Sequence, residues 1–353
     1  MKTLRLPVDP LHLETPEAQQ MLGQAAEILR GGGLVAFPTE TVYGLGANAL
    51  DPAAVARIFA AKQRPAWDPV IVHIAAGEHG QAMLADLVSE IPEPALRLMA
   101  AFWPGPLTLL LPRSGAVPDA VTAGRRLAGI RMPAHPVALE LIRRAGVPLA
   151  APSANRFGHT SPTTASHVLD DLDGRIDAVL DAGPTSHGVE STVLDPCQSP
   201  MIIYRPGAVT AIQIRDIAGA VEVFHDFQPL TGTPQSALPS PGVGLRHYAP
   251  RARLVLIDAA PADMLPRLRE AAQRFPAERL GVLLPEDLAS ELDGAIVFPC
   301  GRWSAPEELA RTLYAGLRAL DEQGCSVILC PVPAGEGIAA AVRDRLSKAA
   351  NYG

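Results

Sequence analysis

The amino-acid sequence predicts an α/β protein of two domains, with one large sheet in the N-terminal part and a smaller doubly wound domain behind it. The chain has 353 residues, more than one hydrophobic core usually organises. Short apolar segments alternate with helical patterns on both sides of residues 226–250, which are rich in Pro, Gly, Ser and Thr. Alternating strands and helices are typical of α/β sheets, and that composition is typical of a linker.

The N-terminal elements have recognisable boundaries. Residues 15–16, Thr-Pro, supply an N-cap and a first helical residue, and the glycines at 31–33 end that helix. Residues 51–52, Asp-Pro, begin a second capped helix that extends to Lys62. Apolar, largely β-branched runs predict strands, and helical patterns separate several of them. The predicted strands are 34–37, 69–75, 107–111, 127–131, 148–151, 191–194 and 201–204, and the further helices are 92–102, 136–146 and 161–172.

The C-terminal part repeats this alternation on a smaller scale. Its predicted elements are strand 253–257, helix 262–275, strands 280–284 and 295–298, helix 305–320, strand 326–330 and helix 337–350. The order predicts a small Rossmann-like domain, but the sequence lacks G-x-G-x-x-G, so no dinucleotide site is expected there. The predicted division is therefore a catalytic domain at 1–208, a linker or lid at 209–250, and a Rossmann-like domain at 251–353.

Composition and charge exclude several classes of protein. The formal net charge is −7, so no bulk basicity indicates a nucleic-acid-binding protein. The four cysteines have no zinc-ligand spacing, and we expect them to be small buried thiols in a reducing compartment. No apolar run approaches the ~18 residues of a membrane span, and the N-terminus does not resemble a signal peptide. We expect a soluble, cytoplasmic protein without a metal ion bound by its own side chains.

Two polar segments follow the first predicted strand and helix. PTETVYGLGA at 38–47 offers hydroxyls and glycines that let a ligand approach the backbone, although an ordinary glycine-rich turn has the same composition. KQRP at 62–65 places Lys62 and Arg64 two residues apart, which suits a polyphosphate. Lys62 alone is equally typical of a helix C-terminus, and His73 in its apolar strand is typical of a core histidine.

Two more polar segments lie in the second half of the N-terminal domain. PSAN at 152–155 places Ser153 and Asn155 on one side of an extended chain, where they would bind adenine or phosphate or simply close a turn. Ser161 would cap a helix or bind an anion. GVESTVLD at 188–195 and YRPG at 204–207 add hydroxyls and Arg205 at strand ends. No catalytic triad or P-loop is present, so an enzyme with these parts would hold reactants together and neutralise phosphate charge.

Together these segments are more specific than any one of them. PTETVYGLG, K-x-R-P, WPGPLT, IRMP, PSAN, STV and RPG occur in the order and spacing of the YrdC family, which the chain resembles. SPGVGLRHYAP at 240–250 and GEGIAAAVRDRLSKAAN at 335–351 resemble the linker and C-terminal domain of its longer members. The resemblance covers nearly the whole chain. It implies a YrdC-like twisted mixed sheet with a deep, positively lined cavity, followed by a Rossmann-like domain.

The resemblance also implies an activity and a set of site residues. Members of this type make L-threonylcarbamoyl-AMP from L-threonine, bicarbonate and ATP, with Mg²⁺ carried in by ATP. The product supplies a threonylcarbamoyl transferase complex that modifies position 37 of tRNA, and tRNA or double-stranded RNA is a further expected contact. The residues implied for threonine are Thr39, His73, Arg131, Ala151 and Ser191. Those implied for ATP are Arg64, Asp68, Ser153, Asn155, Ser161, Arg205 and Tyr248, with Lys62 and Arg64 as the catalytic pair. Arg246, His247 and Tyr248 would belong to a lid.

Three positions depart from the family pattern, and two alternatives stay open. Asp68 replaces the usual Asn, Leu127 a hydroxyl residue, and Val243-Gly244 the usual Met-Lys of the linker. A carboxylate at 68 would repel phosphates unless it turned away or met Mg²⁺. The alternative functions are an RNA-binding module, which the acidic balance and 5% aromatic content disfavour, and a carbamoyl-adenylate enzyme with another amine acceptor.

Overall fold

The computed structural model of the chain describes residues 2–224, 240, 248–288, 292 and 294–350. These residues form two compact units. The first contains residues 2–157, 162–186, 190–224 and 240, and the second contains 158–161, 187–189 and the described residues from 248 onward. The mixed α/β architecture with two sheets confirms the predicted fold class.

The first unit consists of eleven strands and eight helices among the described residues. In chain order they are β1 (Leu4–Pro7), α1 (Pro16–Arg30), β2 (Val35–Phe37), β3 (Gly44–Asn48), α2 (Pro52–Lys62), β4 (Ile71–His73), α3 (Gly77–Leu87), α4 (Glu93–Phe102), β5 (Leu107–Pro112), α5 (Asp119–Thr122), β6 (Leu127–Arg131), α6 (Pro136–Ala145), β7 (Leu149–Ala150), α7 (Ala165–Leu172), β8 (Ala178–Asp181), β9 (Thr192–Asp195), β10 (Met201–Arg205), α8 (Ala211–Ala218) and β11 (Val221–Val223).

The eleven strands form one mixed sheet that brings distant polar segments together. Its order is β1-β8-β2-β3-β7-β4-β6-β5-β9-β10-β11, with parallel and antiparallel neighbours. β4 pairs parallel with β6, so that His73 lies opposite Arg131. β5 pairs parallel with β9, which places Leu107 opposite Thr192 at the start of the STV segment.

Helix ends follow the predicted capping chemistry with one exception. The Thr15 hydroxyl accepts a hydrogen bond from the Ala18 amide at 3.4 Å, and Asp51 accepts one from Ala53 at 2.9 Å. Ser161, however, does not cap α7. Thr164 is the N-cap there and accepts from the His167 amide at 3.3 Å, because the chain stays non-helical from Ser161 to Thr164, where Thr164 is still extended.

Several elements were not predicted, among them β1, β3, α3, α5, β8 and β11. β3 lies inside the glycine-rich segment, where Gly44 and Gly46 suggest a turn. The structure pairs it antiparallel with β2, and a Cβ at Gly46 would lie 2.8 Å from the Phe37 ring. Glycine is therefore required for close packing within the strand, which removes the β-branched residues that would identify it.

The second unit contains a parallel sheet flanked by helices, as predicted. Its elements are β12 (Arg253–Ile257), α9 (Pro261–Gln273), β13 (Leu280–Leu284), a 3-10 turn (Glu286–Leu288), β14 (Ile296–Pro299), α10 (Pro306–Glu322), β15 (Val327–Pro331) and α11 (Ile338–Ala350). The strand order is β12-β15-β13-β14, and all three pairings are parallel.

Two expectations need comment. Residues 211–223, inside the predicted linker, form α8 and β11, and β11 pairs parallel with β10. That part of the chain therefore belongs to the large sheet, while the boundaries at 208 and 250 stay predictions. All four cysteines are free thiols, but Cys197 is exposed and only the other three are buried, so the expectation of four buried cysteines was wrong. Among the described helices, none has the length and apolarity to span a membrane.

Candidate active site

The loop after β2 is fixed by the Thr39 side chain. Its hydroxyl donates to the Val42 carbonyl at 2.6 Å, accepts from the amides of Thr41 and Val42 at 3.2 Å, and lies 2.8 Å from the Thr41 hydroxyl. A threonine that bonds its own loop is typical of a tight turn. Thr39 is 2% exposed, so its first role is to shape the loop in which it lies.

Arg131, at the end of β6, contacts this loop and a neighbouring one. Its Nη1 donates to the Thr41 hydroxyl at 3.0 Å, and its Nε donates to the Gly105 carbonyl at 3.2 Å. Its Nη2 lies 2.6 Å from Glu40 Oε1, and both side chains are buried. Thr39 and Arg131, both predicted to contact threonine, are thus joined through Thr41.

His73 is held neutral by its surroundings. Burial, followed by the charge of Arg131, lowers the pKa of His73 to about 3. Its ring packs edge-on against Phe37, with 6.1 Å between ring centroids. Neutral imidazole beside a cation can accept or donate a hydrogen bond without adding repulsion, which suits recognition of a polar ligand.

This pKa predicts an acid-sensitive contribution to stability. An unfolded histidine titrates near 6.5, so the contribution is fully present above that pH and is lost as the pH falls toward 3. We expect wild type to lose about 1.4 kcal/mol per pH unit relative to His73→Asn within that window. Urea unfolding between pH 4 and 7.5 measures the difference. His79→Asn, which changes an exposed histidine, is the control, and equal slopes for wild type and His73→Asn would contradict the assignment.

Ser191 and Arg205 form a second buried cluster where β9 and β10 meet. Arg205 donates from Nε to the Ser191 carbonyl and from Nη2 to its hydroxyl, both at 3.0 Å. The same hydroxyl lies 2.8 Å from that of Thr108 on β5. The charge of Arg205 also acts on two other site residues. It opposes the rise that burial causes in the pKa of Asp68, and it adds slightly to the lowering that burial and Arg131 cause in the pKa of His73.

Gly207 in the YRPG segment packs directly on this cluster. A Cβ there would lie 2.4 Å from the Thr192 amide nitrogen and 2.7 Å from the Glu190 carbonyl oxygen. We expect Gly207→Ala to lower the free energy of unfolding by about 3 kcal/mol or more, because backbone would have to move. Gly115→Ala meets nothing within 4 Å and should change it by less than about 0.5 kcal/mol. Denaturant unfolding measures both, and equal stabilities would refute the packing argument.

Lys62 holds the PSAN segment from the end of α2. Its ammonium donates to the Ser153 carbonyl at 2.5 Å and also to the Asn155 carbonyl. Lys62 is 1% exposed, and burial together with the Arg64 charge lowers its pKa well below the usual value. Asn155 is also buried, and its side-chain amide donates to the Arg156 carbonyl at 2.8 Å. Ala151 contributes its backbone amide to the Ile71 carbonyl at 2.8 Å.

Arg64 is placed by a left-handed turn and paired with Asp68. Gln63 adopts φ 55° and ends α2, which turns the chain so that Arg64 folds back on the next segment. Arg64 Nη2 lies 2.9 Å from Asp68 Oδ1 and 2.7 Å from the Pro69 carbonyl oxygen, and its guanidinium lies 5.9 Å from the Phe157 ring centroid. The carboxylate at 68 is therefore fully buried against a cation. Burial raises the pKa of Asp68, although Arg64, Lys62 and Arg205 oppose this.

The other two departures from the family pattern are at Leu127 and in the linker. Leu127 begins β6 half-buried and packs with Ile71, Leu110 and Val193, so it serves the core of the sheet. Gly244, Arg246 and His247 lie outside the described residues.

Two of the predicted ATP residues belong to the second unit. Ser161 is fully buried there. Tyr248 is 5% exposed with φ 68°, its ring stacks on Tyr314 at 5.8 Å, and the Arg345 guanidinium lies 5.1 Å from its centroid.

Charge interactions connect Lys62, Arg64, Asp68, His73, Arg131 and Arg205, and eleven of the predicted residues lie in the first unit. They are Thr39, Lys62, Arg64, Asp68, His73, Arg131, Ala151, Ser153, Asn155, Ser191 and Arg205. Glu40 and Thr108 were not singled out from the sequence, although both lie in quoted motifs, and Thr41 counted only among the hydroxyls of the PTETVYGLGA segment. Glu40 could have been found from the sequence, because it lies in a largely apolar segment and charged residues are rarely buried unless they are paired. Among the described residues, no group of three or more His, Cys, Asp or Glu side chains forms a metal site.

Comparisons with known proteins find relatives that match nearly the whole chain. Residues 27–207 match the family of Sua5, YciO and YrdC proteins, described as "Telomere recombination", and residues 209–351 match "Threonylcarbamoyl-AMP synthase, C-terminal domain". A threonylcarbamoyl-AMP synthase of Bacillus subtilis is 44% identical over 99% of this chain and 98% of its own length. One of Pyrococcus abyssi is 43% identical over 93% of each chain.

A solved structure extends the similarity to three dimensions. The crystal structure of P. abyssi Sua5 complexed with L-threonine superposes with a TM-score of 0.88 and 40% identity, covering 99% of this chain and 98% of the other. Both family domains, the full-length relatives and this structure agree. The chain belongs to the family of two-domain threonylcarbamoyl-AMP synthases.

Proposed function

We propose that this chain joins L-threonine, bicarbonate and ATP into L-threonylcarbamoyl-AMP and pyrophosphate, as a nucleotidyltransferase. The observation that carries the proposal is the 44% identity with a threonylcarbamoyl-AMP synthase across nearly the full length of both chains. The threonine amine and bicarbonate give a carbamate and water. A carbamate oxygen then attacks the α-phosphorus of ATP, and pyrophosphate leaves.

The threonine site in this proposal is the region around Arg131. Arg131 binds the amino-acid carboxylate, since guanidinium and carboxylate form strong charge-assisted hydrogen bonds. Neutral His73, Thr39 and Ser191 contribute polar groups, and Ala151 contributes backbone. The buried hydroxyls select against analogues that lack the threonine hydroxyl, whereas a single methyl group is worth only ~1–3 kcal/mol against serine.

The ATP site is the cationic region formed by Lys62, Arg64 and Arg205. These three residues stabilise the charge that develops on the α-phosphate and on leaving pyrophosphate. Ser153 and Asn155, fixed through Lys62, bind the nucleotide. Asp68 acts through Arg64, because its carboxylate is buried against that guanidinium.

Mg²⁺ accompanies ATP in this proposal, and the ion compensates phosphate charge when bound. Mg²⁺ keeps several waters and commonly binds through substrate phosphates. The carboxylate of Asp68 is buried 2.9 Å from Arg64 Nη2. Within the described part of the chain, no group of three or more His, Cys, Asp or Glu side chains could hold the ion.

The product is proposed to supply a threonylcarbamoyl transferase complex that forms N6-threonylcarbamoyladenosine at position 37 of tRNA, with direct tRNA contact as a further part of the proposal. A cytoplasmic location is also proposed, because the four cysteines are free thiols, as expected in a reducing compartment.

The test is pyrophosphate release from ATP by the purified protein, with and without L-threonine and bicarbonate. Release that requires both, together with the mass of L-threonylcarbamoyl-AMP, supports the proposal. Release that requires bicarbonate but prefers another amine would identify a different acceptor. No release from a protein that binds ATP would refute the activity.

A further inference from the structure

The buried carboxylate of Glu40 lies beside the proposed threonine site, and the proposed reaction does not use it. Glu40 Oε1 lies 2.6 Å from Arg131 Nη2, and the two side chains are 7% and 4% exposed. Arg131 also donates to Thr41 and Gly105. Two of its five N–H donors are therefore hydrogen-bonded to Thr41 and Gly105, while Nη2 meets Glu40 as an ion pair, so further donors remain for a ligand.

Glu40 is itself held from several sides. The Ser186 hydroxyl donates to the Glu40 carbonyl at 3.3 Å. Burial alone would raise the pKa of Glu40, but the charge and contact of Arg131, with backbone N–H groups including that of Ala134, lower it overall. The carboxylate is consequently ionised at neutral pH and fixed against one guanidinium.

A contribution to folding stability does not by itself explain the buried ion pair between Glu40 and Arg131. A buried ion pair is often no more stabilising than apolar side chains of the same volume. The ion pair does, however, help to fix the orientation of the Arg131 guanidinium. This planar group contacts Glu40, Thr41 and Gly105, and only one orientation allows all three contacts. That orientation matters here, since Arg131 ends β6 opposite His73.

We infer that Glu40 is a positioning residue for carboxylate recognition, which holds the Arg131 guanidinium so that its remaining donors meet the carboxylate of L-threonine. The inference rests on the proposed function, because it takes L-threonine as the ligand of Arg131. In Glu40→Gln the neutral amide keeps the shape of the side chain but no longer attracts the guanidinium, so Arg131 turns away from its binding orientation.

The experiment compares calorimetric binding of L-threonine and L-threoninamide, which lacks the carboxylate, to wild type and Glu40→Gln. We expect Glu40→Gln to bind L-threonine roughly 10- to 100-fold more weakly, with little change for L-threoninamide and in the KM for ATP. Glu140→Gln, which changes a carboxylate paired with Arg143 and Arg144 on α6, should bind both ligands as wild type does.

A double-mutant cycle tests whether Glu40 acts through Arg131. If it does, Glu40→Gln adds less than about 3-fold to the threonine Kd of Arg131→Gln. Multiplicative effects, or equal weakening of both ligands in Glu40→Gln, would overturn the inference and leave Glu40 a purely structural residue. Wild type that binds no L-threonine would instead refute the proposed function, and the inference with it.

Discussion

Arg64→Ala is expected to lower kcat/KM for pyrophosphate release by about 100-fold or more, because a preorganised cation would be lost from the phosphate site. The same change leaves Asp68 buried without its guanidinium. Removing one partner of a buried ion pair costs about 3–5 kcal/mol, so the variant should also unfold more easily. Steady-state kinetics and urea unfolding measure the two effects.

Two further variants separate activity from stability at this position. Arg64→Ala combined with Asp68→Asn also neutralises the carboxylate that has lost its guanidinium, and it should recover part of the stability without the activity. Arg57→Ala is the matched control, since Arg57 lies on α2, the helix just before Arg64, in a solvent-accessible pair with Asp177 and should contribute little to either quantity. A wild-type rate in Arg64→Ala would remove Arg64 from the catalytic residues.

Lys62→Met is expected to reduce kcat by about 100-fold, although Lys62 is almost completely buried. Methionine keeps the length of the side chain but cannot donate to the Ser153 and Asn155 carbonyls, so the PSAN segment loses the contact that fixes it. Since positioning is lost, the KM for ATP should rise together with the fall in kcat.

The chain offers a clean control for this experiment. It contains only three lysines, at positions 2, 62 and 348. Lys348→Met changes an ion-paired lysine of the second unit and should leave the kinetics unchanged. A kcat for Lys62→Met within 2-fold of wild type would show that the two carbonyl contacts do not support the reaction.

The strands recovered from the sequence are the buried apolar ones. Residues such as 107–111 and 280–284 carry continuous apolar runs, so hydrophobic pattern alone predicts them, and β5 and β13 confirm this. β3 could not be found in the same way. Its glycines are present because the Phe37 ring packs against them, which is a contact between strands and leaves no local signal.

For the candidate active site too, the sequence predicted the residue types, whereas the tertiary structure determined which residues contact one another. The residue types of PTET, K-x-R, PSAN and RPG, in that order, determined which family the chain resembles and which side chains to examine. Tertiary structure alone decided their partners. The pairing of β4 with β6 brings His73 beside Arg131, and the turn at Gln63 directs Arg64 onto Asp68. Burial and charge then set the protonation of these groups, and both depend on which segments pack together rather than on neighbours in sequence.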